Sequence, residues 1–336
     1  MPSGRWQDVE PDALATTLPV SPWDRAERVV RGTVAGVIIV VGLATLLGLL
    51  DRVSWVFELA DVFRLQYLVV LVGAALGALL LRRPWLAGSA GVLAAVNVAV
   101  LGISLIPTAT AAPGTPRGSL RLVVANVEVG NPDFAAVRRL VARTHPDVLG
   151  VTELTPEMAA QLGPALHRYR ARVVETREDA YGIGVYSRRP LLSARVVHLP
   201  ADGPPTVVAR TRVAGKPVSL VVTHVHTPFA GSIHTRQLRA LAEARPGLGP
   251  RAAVCGDFNT PPWSGPLRDF ATQAGLRDLY GRSAWAAYSW PTWSAVLRVP
   301  LDNCFVGEGI AVRDHHDGPG VGSDHRPLVV DLAVLR

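Results

Sequence analysis

Polar side chains able to do acid–base or metal chemistry recur in this sequence beside short apolar runs. There are eight of them: Asn126 after RLVVA, Glu153 after DVLGVT, His224 after VSLVVT, Asp257 and Asn259 around AAVCG and Phe258, Asp302 before NCFV, and Asp324 with His325 before RPLVVDL. Each one alone has an ordinary explanation, because polar residues commonly end strands and begin turns. Eight such positions on strands of one domain predict a convergent polar site.

The segment CGDFN illustrates the chemistry. Asp257 and Asn259 are separated by one residue, and residues i and i+2 of an extended segment share a face. Two oxygen ligands on one face suit a hard cation such as Mg²⁺. The alternative is a strand-ending Asx turn, which these residue types also favour. His224 and His325 add candidates for proton transfer.

Other kinds of site are not indicated. The sequence has no GxxxxGK[ST] loop and no GxSxG elbow, so neither a nucleotide cradle of that type nor a serine hydrolase is predicted. The two cysteines, Cys255 and Cys304, lack zinc-site spacing. Both sit in apolar, strand-like runs, where either one disulfide or two buried thiols would fit.

The elements that carry these residues are mostly short strands. Residues after 119 alternate apolar runs of strand length with turns, and helical patterns appear at 131–145, 155–169 and 234–244. The first helix is predicted to have Asn131 as its N-cap and Pro132 at its first position. Many strands with few helices favour an α/β fold of two packed sheets with helices outside.

The first third of the chain reads as membrane helices. Three long uncharged segments occur at 33–50, 65–81 and 84–106, and roughly 20 apolar residues cross a bilayer, so the second is short. A cleaved signal peptide is disfavoured by the polar residues before the first segment, and buried core helices by three such segments in a row. The predicted division is therefore a cytoplasmic tail at 1–32, three transmembrane helices at 33–106, a linker at 107–118 and a catalytic domain at 119–336.

Basic residues set the predicted orientation. Arginines precede the first segment and separate the second from the third: Arg25, Arg28, Arg31, Arg82 and Arg83. The positive-inside rule places these loops in the cytoplasm, so everything after Ile106 is predicted to lie outside a cell membrane. The first 112 residues have equal numbers of acids and bases, so the net charge of +7 belongs to the exported part. A basic exported surface suits anionic partners such as phosphate esters, nucleic acid or anionic lipid.

The motifs AN, TEL, GIGVYSRRP, THVHTP, GDFN, TW…LDNCFV and GSDHRPL, in this order, resemble the endonuclease/exonuclease/phosphatase superfamily with its DNase I-like fold. The resemblance covers nearly all of 119–336. It implies a two-sheet α/β sandwich with flanking helices, a Mg²⁺ cofactor (with Mn²⁺ as an alternative) and hydrolysis of phosphate esters.

The resemblance also implies roles for the eight residues. Metal binding falls to three: Asn126, Glu153 and Asp324. Five are catalytic: His325 as general base, Asp302 as the acid that orients it, His224 and Asn259 at the scissile phosphate, and Asp257 at the metal or the nucleophilic water.

The substrate is predicted from the membrane helices rather than from the fold, because one fold serves many substrates. A tethered domain meets lipid headgroups at high effective concentration. The arrangement is similar to that of actinobacterial membrane proteins linked to teicoplanin resistance. A phosphodiester or pyrophosphate on an envelope lipid carrier is the favoured substrate. A membrane-anchored nuclease acting on external DNA or RNA, and a non-catalytic binding or resistance protein with the same fold, are the alternatives.

Overall fold

The computed structural model describes residues 21–109, 114–279 and 288–336. The helices in these residues are α1 Pro22–Leu47, α2 Trp55–Asp61, α3 Arg64–Leu80, α4 Pro84–Ser104, α5 Phe134–Thr144, α6 Pro156–Leu162, α7 Ser232–Ala244 and α8 Gly265–Gln273. The strands are β1 Pro116–Asn126, β2 Val148–Thr152, β3 Ala171–Glu175, β4 Ile183–Ser187, β5 Leu191–His198, β6 Pro205–Val213, β7 Lys216–His224, β8 Ala252–Asp257, β9 Arg277–Asp278, β10 Asp302–Val306, β11 Ile310–Asp317 and β12 Leu328–Leu335. Short 3-10 turns lie at Gly48–Leu50, Gly163–Leu166, Pro228–Ala230 and Arg245–Leu248.

The strands form two six-stranded mixed sheets, in the orders β11-β12-β1-β2-β4-β3 and β5-β6-β7-β8-β10-β9. This confirms the predicted two-sheet α/β sandwich. Within each sheet one central pair is parallel, β1 with β2 and β7 with β8, and the other pairs are antiparallel. A parallel pair needs a crossover connection, which α5 supplies in the first sheet and α7 in the second.

The core follows the two-residue period of the strands. Along β1, Leu122 and Val124 face the other sheet, while Val123 and Ala125 face the helices outside. Helices α5 and α6 cover the outer face of the first sheet, and α7 and α8 cover that of the second. The two carboxyl ends of each parallel pair thereby reach the same edge of the sandwich.

The two cysteines face each other across β8 and β10 within the core between the sheets. Cys255 and Cys304 are register partners with Cα atoms 4.0 Å apart, and they form a disulfide. Of the two possibilities left open by the sequence, the structure contains the bridge.

Two local predictions were wrong. Helix α5 begins at Phe134 and is capped by Asp133, whose Oδ1 accepts from the Ala136 N–H at 2.8 Å. Asn131 is therefore not the N-cap, and Pro132 lies before the helix and not at its first position. The Asn131 amide instead donates to the carbonyls of Val127 and Val321, tying two loops together. The 107–118 segment is not linker throughout, because β1 already pairs with β12 at Pro116; residues 110–113 lie outside the described residues.

The N-terminal helices have the lengths that a membrane requires. Among the described residues, Pro22–Leu50 and Pro84–Ser104 are long and apolar enough to span, and α2 with α3 forms a pair bent by 57° that adds a third. The α1 helix begins well before residue 33, where the first span was predicted to start. Apolar side chains on these helices are exposed, among them Ile39, Val40, Val69, Leu76, Leu80, Val92 and Val98. An apolar exterior of this kind fits a lipid environment.

Polar groups hold these helices together from inside. The buried Arg64 guanidinium contacts the Asp61 carboxylate and reaches Asn97 Oδ1 and the Thr45 carbonyl, each at 3.3 Å. The Asn97 amide donates to Thr45 Oγ1 at 3.0 Å. Polar residues in transmembrane bundles typically face the interior and pair with one another, and these residues have the same arrangement.

The helical bundle meets the catalytic domain at one end. The Arg52 guanidinium forms two bonds with the Asp269 carboxylate, Gln66 donates to the Val296 carbonyl, and Arg268 donates to the Ser104 carbonyl. The end of α1, the start of α3 and the end of α4 therefore lie on the same side. This is the arrangement expected of three antiparallel helices followed by a domain.

Candidate active site

A cleft of about 700 Å³ lies where the two sheets meet at the carboxyl ends of their parallel strands. Six of the predicted residues line it: Glu153, His224, Asp257, Asn259, Asp324 and His325. The other two, Asn126 and Asp302, are buried directly behind, hydrogen-bonded to residues that line the cleft. The structure thus brings all eight together.

Sheet register explains much of this convergence. In the second sheet Asp257 is the register partner of His224 on β7 and of Asp302 on β10, so three side chains follow one row across three strands. In the first sheet Asn126 ends β1, and Glu153 directly follows β2. Packing of the sheets brings the two groups into contact.

Asn126 links the two groups. Its amide nitrogen donates to Glu153 Oε1 at 2.8 Å and to Asp257 Oδ2 at 3.1 Å, and its oxygen accepts from the Glu128 N–H at 3.0 Å. Glu153 Oε2 accepts from the Val129 N–H at 2.9 Å. Asn126 therefore orients two carboxylates, while one face of the Glu153 carboxylate remains on the cleft.

Three residues of the cleft have backbones in the left-handed region: Glu128, Glu153 and Asn259, with φ values of 60°, 57° and 52°. Such conformations cost on the order of 1–3 kcal/mol for residues other than glycine. They turn the chain just after a strand ends, which aims each side chain into the cleft.

His325 is held between carboxylates. Its Nδ1 lies 2.7 Å from Asp302 Oδ2, and its Nε2 lies 3.6 Å from Asp257 Oδ2. Burial on its own lowers the pKa of His325, but Asp257 and Asp302 outweigh burial and raise that pKa to about 10. Conversely, although burial opposes it, the positive charge of His325 and the proximity of His224 lower the pKa of Asp257. The Nδ1 side of the ring is occupied by its hydrogen bond to Asp302 behind the cleft. The other ring nitrogen, Nε2, is therefore the one that faces the cleft.

His224 is fixed in the same way by a backbone group. A carbonyl only accepts, so the Ala180 carbonyl, 2.8 Å from Nδ1, requires the proton on that nitrogen. Nε2 then faces the Asn259 amide nitrogen at 3.2 Å and Asp257 Oδ2 at 3.6 Å. The Asn259 N–H donates to Asp257 Oδ1 at 2.8 Å, so the GDFN segment is an Asx turn as well as part of the cleft.

Asp324 lies at the rim, and its side chain is 41 % exposed. Trp290 Nε1 donates to its Oδ2 at 2.9 Å, and its own N–H donates to Glu128 Oε2 at 3.0 Å. Asp324 Oδ1 is 3.9 Å from His325 Nε2. Asp324 is thus held at the rim of the cleft by Trp290 and Glu128.

Glu128 and Trp290 are residues of this cleft that sequence reasoning missed. Glu128 follows Asn126 by two residues, the same spacing that singled out Asp257 and Asn259, so the signal was present. Burial raises the pKa of Glu128, and the nearby Asp324 and Glu153 carboxylates raise it further. Trp290 carries no comparable signal, because its role depends on a loop placed by the tertiary fold.

The oxygen donors fit a hard divalent cation. Three carboxylates, those of Glu128, Glu153 and Asp324, line the cleft, and the charges of Asp324 and Glu153 raise the pKa of Glu128, a repulsion that a cation would relieve. A second set, Asp257, Asp302 and His325, has ligand atoms within 4.8 Å of one another. A cation there would compete with the proton that His325 shares with Asp302, so the Glu153 side is the better candidate.

Part of the cleft lining is apolar, and some of that part comes from outside the sandwich. Three such residues line the cleft: Leu59 on α2, and Val62 and Phe63 in the short connection between α2 and α3. Phe229, which is 71 % exposed, continues this surface and contacts the Trp55 ring at 6.0 Å between centroids. We call this surface, formed by Leu59, Val62, Phe63 and Phe229, the apolar wall.

Comparison with known proteins agrees with the fold. The model of the Endonuclease/Exonuclease/phosphatase family matches residues 123–325. The structure of D. rerio TDP2 with a single-strand DNA product is 19% identical, with a TM-score of 0.55, and covers 64% of this chain and 99% of that one. No curated protein matches the chain.

Two further solved structures are similar at the level of fold. The human Nocturnin catalytic domain with bound sulfate is 17% identical, with a TM-score of 0.51, covering 66% of this chain and 97% of that one. A mannosyl-6-phosphatase of Bacteroides thetaiotaomicron is 16% identical, with a TM-score of 0.53, covering 63% and 99%. The family match begins at residue 123, so α1 to α4 and the part of the apolar wall that they supply lie outside it.

Proposed function

The chain belongs to the endonuclease/exonuclease/phosphatase family, whose members are metal-dependent phosphoesterases and nucleases, and from this premise we propose a lipid-directed hydrolase. The bond cleaved is a phosphodiester or pyrophosphate on a lipid of the membrane that α1 to α4 cross. One observation supports this proposal: the cleft is lined both by the polar catalytic candidates and by an apolar wall, most of which the N-terminal segment supplies.

A lipid phosphoester has the two chemical parts that this cleft has. Its phosphate is anionic and needs hydrogen-bond donors and a cation, and its chain is apolar and needs dry contacts. The wall residues Leu59, Val62 and Phe63 belong to the segment that leads into α3. A substrate held in the same bilayer would reach the cleft with its chain already beside these side chains.

Mg²⁺, with Mn²⁺ as an alternative, is the proposed cofactor, held by Glu153 and Asp324 with Asn126 orienting Glu153. When bound, it would neutralise charge on the phosphoryl oxygens as a Lewis acid. Glu128 adds a fourth polar group to this side and supports Asp324 through the backbone bond described above.

Proton transfer is assigned to His325. Asp302 holds its Nδ1 proton, which leaves Nε2 to take a proton from the attacking water. Asp257, 3.6 Å from that nitrogen, stabilises the imidazolium that results and orients the water. The positive charge of a bound cation would oppose protonation of His325 and lower its pKa, which favours Nε2 as the base.

His224 and Asn259 are assigned to the scissile phosphate. His224 Nε2 and the Asn259 amide both face the cleft. The Asn259 amide nitrogen is a donor, and His224 Nε2 becomes a donor when the ring is protonated, so both can then contact non-bridging oxygens. Once protonated, His224 can also supply a proton to the leaving oxygen. The roles of acid and base thus fall on histidines with different partners, one on a backbone carbonyl and one on a carboxylate.

The proposed location is the cell membrane, with residues 1–32 in the cytoplasm and the catalytic domain outside. Support comes from the arginines before α1's apolar part and between α3 and α4, and from the common end at which α1, α3 and α4 meet the domain. No protein partner is proposed.

The test uses the full chain in nanodiscs with Mg²⁺. Phosphate or headgroup release is measured from polyprenyl pyrophosphate and phospholipids held in the same bilayer, beside cleavage of plasmid DNA and of soluble bis(p-nitrophenyl) phosphate. A lipid hydrolase gives turnover of a lipid substrate that EDTA and His325→Ala abolish.

A matched variant separates recognition from chemistry. Phe229→Ala trims an exposed part of the apolar wall without touching the polar side. We expect it to raise the KM for the lipid by about tenfold, as loss of a buried aromatic contact would, and to leave soluble bis(p-nitrophenyl) phosphate turnover unchanged. Plasmid cleavage with no lipid turnover would identify an anchored nuclease instead. Full inactivity, with Mg²⁺ still bound, would favour a binding or resistance protein.

A further inference from the structure

We propose that Glu58, a residue of the membrane-side helix α2, positions the two catalytic loops of the domain. We call these the catalytic loops: residues 224–230, from the last residue of β7 through the loop that follows, and residues 257–264, from the last residue of β8 through the loop that follows. They carry His224, Asp257 and Asn259. The proposal makes the N-terminal helices a working part of the catalytic site, in addition to their role as a tether.

Glu58 is buried to 2 % exposure and points away from the apolar face of its own helix. On α2 the exposed side chains are apolar, Trp55 and Val56, whereas Glu58 and Asp61 are buried. A helix with apolar residues outward and an acid inward is suited to lying between lipid and a polar protein surface. The acid must therefore find its partners in the catalytic domain.

Three polar side chains of the domain converge on one oxygen of Glu58. Thr260 Oγ1 donates to Glu58 Oε1 at 2.9 Å, and Ser264 Oγ donates to it at 3.2 Å. His234 Nε2 lies 3.1 Å from the same oxygen. All three partners are themselves fully buried, so none of them has water as a ready substitute.

His234 transmits the contact to the loop after β7. Its Nδ1 lies 2.6 Å from the His226 carbonyl, which only accepts, so Nδ1 carries a proton and donates it. One proton then also lies between Nε2 and Glu58, either on the imidazole or on the carboxyl. The ring is thereby fixed at both nitrogens, and the backbone of His226 is fixed with it.

Further hydrogen bonds connect the fixed His234 ring to the backbone around the catalytic candidates. Gln237, three residues along α7 from His234, donates to the His224 carbonyl at 2.9 Å and accepts from the His226 N–H at 3.0 Å. Thr260 directly follows Asn259, so its bond to Glu58 restrains the turn that presents the Asn259 amide. The two loops also bond to each other, since the Val225 N–H donates to the Asp257 carbonyl at 2.8 Å.

The domain alone would lack this acid. Removal of Glu58 leaves two hydroxyls and an imidazole nitrogen buried without their acceptor, which favours local rearrangement of both loops. A displacement of about 1 Å in a catalytic group can cost on the order of a hundredfold in rate. Glu58 touches none of the cleft's polar groups, so it is a positioning residue.

The test compares Glu58→Ala, Glu58→Gln and the wild type as full chains in nanodiscs. Turnover of bis(p-nitrophenyl) phosphate with Mg²⁺ is measured, because this soluble substrate does not depend on the proposed lipid. We expect Glu58→Ala to lower kcat at least about tenfold with KM nearly unchanged, and Glu58→Gln, which keeps an acceptor oxygen, to recover part of that loss.

Asp269→Asn is the matched control. It removes the charge and one of the two acceptor oxygens from the exposed contact with Arg52, another link between the helices and the domain, without reaching either catalytic loop. It should leave kcat as in the wild type. If Asp269→Asn lowers kcat as much as Glu58→Ala does, the effect is general loosening of the junction and the proposal is overturned.

Hydrogen exchange provides a readout that needs no substrate. Amides of 224–230 and 257–264 should exchange faster in Glu58→Ala, and amides of the central strands β1 and β2 should not. Thr260→Val, which removes one of the three bonds at nearly constant volume, gives the same readout if Glu58→Ala does not fold. If Glu58→Ala shows wild-type hydrogen exchange in both loops and a wild-type kcat, the proposal is overturned. A lack of lipid turnover in the wild type would contradict only the proposed lipid substrate.

Discussion

Asn126 and Asp257 end central strands of opposite sheets, and the Asn126 amide donates to Asp257 Oδ2 at 3.1 Å. The same amide donates to Glu153 Oε1. One buried side chain therefore couples the candidate metal side of the cleft to the row of His224, Asp257 and Asp302. The distance between the two groups is set by packing of the sheets and by this amide.

Replacement of that amide should damage both stability and activity. Asn126→Ala removes two donated bonds and one accepted bond at a position that is 1 % exposed. We expect a loss of about 2 kcal/mol in the free energy of unfolding and a fall in kcat on the order of a hundredfold. Thermal unfolding and phosphodiester turnover of the full chain check both values. A variant of wild-type stability and activity would show that the sheets hold the site without Asn126.

The carboxylates of the cleft should differ in their contribution to metal binding. Glu153→Gln keeps the shape of the side chain but removes the charge of the principal proposed ligand. We expect turnover to fall on the order of a thousandfold, and we expect the Mg²⁺ concentration needed for half-maximal activity to rise strongly. Glu128→Gln is the matched control. We expect it to raise the Mg²⁺ concentration needed for half-maximal activity less than Glu153→Gln does. Titration of activity and of Mn²⁺ binding by electron paramagnetic resonance measures both, and equal effects would reassign the ligand.

The pKa of His325 predicts how stability depends on pH in protein stripped of metal by EDTA. The folded-state pKa of about 10 lies above the ordinary value of 6.5. The stability that the protonated ring contributes is complete below pH 6.5 and is lost as the pH rises toward 10. The melting temperature of the wild type should therefore fall more steeply across this window than that of His325→Asn. Parallel curves for the two proteins would contradict the prediction.

The disulfide offers a test of export. Cys255 and Cys304 form a bridge in the buried core between the sheets, and such bridges persist in oxidising surroundings. Full chain taken from membranes, denatured and alkylated without reductant, should contain no alkylated cysteine by mass spectrometry. Reduction before alkylation should label both. Two labelled cysteines without reduction would indicate that the domain faces a reducing compartment.

Much of the site could be predicted because its residues follow local patterns. A strand that is buried on both faces reads as an apolar run, and a polar residue at its end is visible without any structure. This is true of Asn126, Glu153, His224 and Asp257, and the resemblance of the ordered motifs supplied the fold that gathers them. The apolar length of α1 and α4 is equally local, because span length depends only on helical rise and bilayer thickness.

What local pattern could not predict depends on contacts between distant segments. Trp290 reaches Asp324 through a loop whose course depends on the packing of both sheets. Glu58 appeared only as a charge in a loop between two membrane helices, and its three partners lie more than 170 positions away. The sequence by itself determined most of the strands, the long apolar helices and the polar residues at strand ends, since each is set by neighbours along the chain; β11 and α8 were not predicted. Only the tertiary structure decided that the helices complete the catalytic cleft, because that follows from which buried polar groups find one another when the two parts pack.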